Sequence, residues 1–101
     1  MAISPVVLFR GAATTTTTTV LATVPASTTY VVTNIAIANT SASSATATIS
    51  LDSVVIVPTS TIAANSVAFF DLKQPLATTK TITGGASATT VNFHISGISQ
   101  A

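Results

Sequence analysis

Apolar and hydroxyl-bearing side chains alternate along this chain with a period of two. Ala45, Ala47, Ile49 and Leu51 alternate with Thr46, Thr48 and Ser50, and Val91, Phe93 and Ile95 alternate with Asn92, His94 and Ser96. Successive residues of a strand point to opposite faces, so this period predicts half-buried β-strands. No segment carries a 3.6-residue period built from good helix formers. Val, Ile and Thr together account for 41 of 101 residues, and their branched Cβ atoms favour extended backbone. Ala is frequent, but it sits among Thr and Ser.

Turn residues cut the pattern into short runs. Strands are expected near residues 18–24, 28–39, 45–51, 54–57, 67–72, 80–83 and 91–96, with a short extended piece at 61–64. Pro25-Ala26-Ser27 ends the first. In the second, Val31, Ile35 and Ile37 share one face, and Tyr30, Val32, Ala36 and Ala38 share the other. Asp52-Ser53 links two β-rich runs as a tight hairpin turn. Pro58, Lys73-Gln74-Pro75 and Gly84-Gly85 read as stops, and Gly97 as the mark of a bulge. Seven or eight short strands at this spacing predict an antiparallel β-sandwich or jelly roll.

Residues 1–19 read differently. Residues 3–9 are apolar, but Pro5 restricts them to an edge strand or an extended arm. Gly11 and the six threonines at 14–19 follow as a tether or the lead-in to a strand. The favoured division is an arm and tether over 1–19 and a sandwich over 20–101. On that division, loss of residues 1–10 leaves the sandwich folded.

Chemistry is scarce. Arg10, Lys73, Lys80, Asp52 and Asp71 are the only charged side chains, His94 is the only imidazole, and Glu and Cys are absent. A net charge of +1 gives no basic footprint for nucleic acid. No apolar run is long enough for a membrane helix. The N-terminal residues lack the pattern of a signal peptide, so synthesis and assembly inside a cell are expected. Asp52 and Asp71 read as turn chemistry and a rim ion pair. No Gly-x-Ser-x-Gly elbow accompanies the lone His94. A metal would need several copies of His94 around a symmetry axis. No enzyme activity, cofactor, metal, nucleic-acid or membrane partner is expected. Phe69 and Phe93 read as core. Adjacent Phe69 and Phe70 must point to opposite sides of their sheet, so one of them leaves the core.

Three stretches carry a resemblance. Val24-Pro25-Ala26 leads into Tyr30-Val31-Val32-Thr33-Asn34-Ile35 and Ile37-Ala38-Asn39-Thr40. Ile62-Ala63-Ala64-Asn65-Ser66 is followed by Phe70-Asp71-Leu72. The end reads Ala86-Ser87-Ala88-Thr89-Thr90-Val91-Asn92-Phe93-His94-Ile95-Ser96-Gly97. Together they resemble small all-β virion proteins of tailed bacteriophages, over about residues 20–98. The resemblance implies a structural protein of the particle, most simply a capsid cement or decoration protein, assembled in the host bacterial cytoplasm and carried on the capsid surface. Its implied partners are the major capsid protein and further copies of itself, with a trimer favoured because capsid lattices supply three-fold sites. Ile3, Val6, Val7, Leu8, Phe9 and Arg10 of the arm, with Tyr30, Phe70 and His94, are the expected capsid or subunit contacts. The other reading is a tail, adaptor or fibre component, including a receptor- or glycan-binding module.

Overall fold

The computed structural model describes residues 3–100 as eight antiparallel strands: β1 (Ile3–Ala12), β2 (Val20–Thr23), β3 (Thr29–Asn39), β4 (Ala45–Leu51), β5 (Val54–Ile62), β6 (Ser66–Leu76), β7 (Thr81–Ala86) and β8 (Val91–Gln100). They form two packed four-stranded sheets. Sheet I has the order β1-β8-β3-β6 and sheet II the order β2-β7-β4-β5. The pairs β1·β8, β2·β7, β3·β6 and β4·β5 are nested. The chain is therefore one long hairpin wound into a jelly roll, with its tip at Asp52-Ser53. Both tip residues have positive φ, 52° and 62°, as a two-residue turn matched to the strand twist requires.

The core lies between the sheets. Val32, Ile35, Ile37, Val91, Phe93 and Ile95 supply it from sheet I, and Ala47, Ile49, Leu51, Val57 and Ile82 from sheet II. Their spacing is the period-two pattern of the sequence except where bulges interrupt it. Val7 and Phe9 flank a register shift against Ser96 and Ile95, and Val32 and Asn34 flank another against Gly97 and Ser96. Leu8 and Thr33 are thus extra residues beside β8, and β6 gains a further one at Leu72-Lys73. A line of bulges crosses sheet I. A Cβ on Gly97 would run into the Val31 carbonyl oxygen and lie 3.1 Å from Leu8 Cδ1, so only glycine allows this close approach.

This line changes the face assignment of β3. Val32 is fully buried with Ile35 and Ile37, and Tyr30 packs on the same core. Val31 instead shares an outward row with Pro5, Ile98 and Pro75. The expected grouping fails because Thr33 shifts the alternation by one residue.

Residues 3–12 are not an extended arm. They form β1, the edge strand of sheet I, with Leu8 buried and Val6 and Phe9 packed on the core. The apolar run pairs within its own sandwich, and Pro5 is tolerated because the strand is at an edge. The threonine run is not a free tether either. Ala86 N–H donates to the Thr14 carbonyl (2.9 Å) and Gly84 N–H to the Thr19 carbonyl (3.0 Å), so the run prolongs the edge of sheet II ahead of β2. Gly85 permits this, since a Cβ there would meet the Thr16 carbonyl. Gly84-Gly85 therefore lies inside β7 and does not end it. Pro58 and Pro75 likewise sit within β5 and β6, both edge strands, where a missing N–H is tolerated.

One buried amide ties three loops together at the end of the roll away from the hairpin tip. Asn39, 2% exposed, donates to the Ser43 carbonyl (2.8 Å) and the Ile62 carbonyl (3.2 Å). Its Oδ1 accepts from Ser41 N–H (3.0 Å) and from the Thr90 hydroxyl (3.4 Å).

Two outcomes are expected. Deleting residues 1–10 strips most of β1, uncovers β8 and removes Leu8 from the core; circular dichroism should show loss of the cooperative melt. Asn39→Ala should cost about 2–4 kcal/mol in urea unfolding, because buried carbonyls lose their donor. Asn39→Asp should cost a similar amount despite its shape, since it turns an oxygen toward two carbonyls.

Candidate docking surface

Cross-strand partners point to the same face of a sheet. The row Phe9–Ile95–Ile35–Phe70 points into the core, and the next row, Arg10–His94–Ala36–Phe69, points out. Beyond it lie Ala12–Asn92–Ala38–Val67 on one side and Val7–Ser96–Asn34–Asp71 on the other. The structure therefore splits the expected contact residues. Val6, Leu8, Phe9, Tyr30 and Phe70 pack on or in the core of their own chain. Ile3, Val7, Arg10 and His94 are exposed on the outer face of sheet I.

Two outer-face residues escape the sequence reading. Phe69, expected in the core, is 68% exposed, and Val67 beside it is 46% exposed. Of the adjacent pair, Phe70 is the one that turns inward. Asp71 accepts a hydrogen bond from the Asn34 amide (3.0 Å) and stays exposed. The face thus carries Val7 and Arg10 on β1, Ile98 and His94 on β8, Val31 on β3, and Phe69 and Asp71 on β6, with Lys73 in the same depression as Asp71.

A second apolar patch surrounds the hairpin tip. Val54, Val55 and Ile56 are exposed, and Val55 shares a depression on the outer face of sheet II with Val20. Hydroxyls of Thr17, Thr18, Thr48, Ser50, Ser53, Thr81 and Thr83 line the rest of it. All eight large apolar side chains exposed among the described residues fall in these two patches.

Among the described residues the polar groups do not converge on a reaction centre. Asp52 lies at the tip, 3.7 Å from Lys80, with both side chains about half exposed, so that pair contributes little. Asp71 and His94 belong to different strands of sheet I, separated by β3. Among the described residues no three of His, Cys, Asp and Glu come together as metal ligands. No protein-family model matches this sequence, and a search of curated proteins returns no significant match.

Because these apolar side chains contact little of their own chain, Val7→Thr and Phe69→Thr should each change stability by no more than about 0.5 kcal/mol in dilute solution. Phe93→Ala, in the core, should cost about 3–5 kcal/mol. Urea titrations of the three variants provide the check.

Proposed function

We propose that this protein is a non-enzymatic structural protein of a bacteriophage virion, a cement subunit that decorates the head. The observation that carries the reading is two separate apolar patches on a jelly roll with only five charged side chains. Contiguous exposed apolar surface marks places that a partner covers. Two such surfaces suit a subunit that must touch both the shell and its neighbours. The likeness of its turns and strands to small phage virion proteins supports the same reading.

The mechanism is mechanical. The tip patch of Val20, Val54, Val55 and Ile56 docks on the major capsid protein, and its hydroxyl rim meets polar groups around the contact. Among the described residues no charged side chain lines the depression, so the contact rests on apolar burial and neutral hydrogen bonds. Each contact is small, and many linked copies make attachment firm through avidity.

The test is co-sedimentation with capsids that lack this protein. Wild-type protein should pellet with them, with little loss between low and high salt because no charged side chain among the described residues lines the depression. Val55→Lys should fold normally and stay in the supernatant. Retention of that variant on capsids would show the tip patch to be the wrong surface. Failure of wild-type protein to bind would remove the cement reading.

A further inference from the structure

The outer face of sheet I exposes Ile3 and Val7 on β1 and Val67 and Phe69 on β6, has Ile98 and Val31 on the strands between, and carries Arg10 on the β1 edge and Asp71, with Lys73 beside it, on the β6 edge. Pro5 and Pro75 interrupt its edge strands, and the bulge at Leu72-Lys73 bends the β6 edge. These features obstruct growth of the sheet by strand addition and leave the face itself as the surface to cover. We propose that a second copy of this chain covers it, about a two-fold axis that runs along the strands between β8 and β3.

The choice of axis follows from the rows. A two-fold along the strands exchanges β1 with the partner's β6 and β8 with the partner's β3. Ile98 then faces the partner's Val31, Pro5 faces the partner's Pro75, and Ala12 faces the partner's Val67. Arg10 lands on the partner's Phe69, with the partner's Asp71 two residues along the same strand. A guanidinium over an aromatic face with a carboxylate in reach is a favourable pairing, and symmetry makes it twice. An in-plane axis across the strands would instead set Arg10 near the partner's Pro5 and leave both charges unpaired.

The area is adequate for a reversible dimer. Four strands about 4.8 Å apart and ten residues of about 3.3 Å give a face of roughly 19 by 33 Å, on the order of 600 Å² per copy. That puts the pair near about 1,200 Å² in total, the lower bound for a specific interface. The association deepens the assembly reading by naming what covers sheet I, and it is tested on purified protein without capsids, so the two can fail separately.

The test is sedimentation velocity from low to high micromolar concentration on wild type, Arg10→Asp and Asp71→Arg, with circular dichroism melts to confirm folding. Wild type should move from one copy, 10.1 kDa, toward about 20 kDa, twice that mass. Each variant alone should remain a single copy, because like charges now meet. Mixed in equal amounts, the two should recover the dimer, since a carboxylate then meets a guanidinium at both symmetry-related contacts. Wild type that stays a single copy at every concentration would overturn the proposal. So would a three-copy species, variants that still self-associate, or a mixture that stays monomeric.

Discussion

The close approach of β8 to β3 at Gly97 sets the register of sheet I, and most of the molecule depends on it. Side chains alternate strictly along a strand, so one inserted residue exchanges the faces beyond it. With Leu8 inserted, Leu8 and Phe9 both turn inward and Arg10 turns out. Were residues 7–10 to alternate strictly, with no bulge, Arg10 would point at the core. With Thr33 inserted, Val32 joins Ile35 and Ile37 inside. A side chain on Gly97 would push the Val31 carbonyl away, and the bulges could not align across the sheet.

A chain with so few charges also needs another way to satisfy its polar groups. Hydroxyls and one amide supply it. Asn39 gathers three loops, Thr78 exchanges hydrogen bonds with Thr28 across the tip end, and Ser87 meets Thr46 between β7 and β4. Among the described residues no buried side-chain polar atom lacks a partner. Neutral hydrogen bonds are insensitive to ionic strength, which lets the surface stay almost free of charge. Such a surface is a poor one for a solitary protein and a good one for a subunit that is covered on assembly.

The fold class and the hairpin at Asp52-Ser53 are legible in the sequence because both rest on local pattern: alternation of side chains and a two-residue link. What is not legible rests on tertiary position. Pro58 and Pro75 resemble stops until β5 and β6 are known to be edges. Gly84-Gly85 resembles a stop until the Thr16 carbonyl is seen packed against it. The run over residues 3–9 is apolar whether it pairs with its own sheet or with a neighbour, and composition does not distinguish those cases. The outer face is half legible. Arg10 and His94 stand out as polar residues on strands, whereas Phe69 has the spacing of a core residue and is exposed because its row of sheet I points outward.

The nested pairing has a kinetic meaning. The partners β4 and β5 are two residues apart in sequence, whereas β1 and β8 lie at opposite ends of the chain. Each successive pair closes a longer loop, and the entropy of closure must be met before its contacts contribute. The closure cost therefore rises outward from Asp52-Ser53 and is greatest for β1 on β8. Without β1, the edge of β8 that faces away from β3 is an open template for any extended chain. A jelly roll with this connectivity folds slowly for its size, and its vulnerable moment comes when seven strands are in place and the eighth is not.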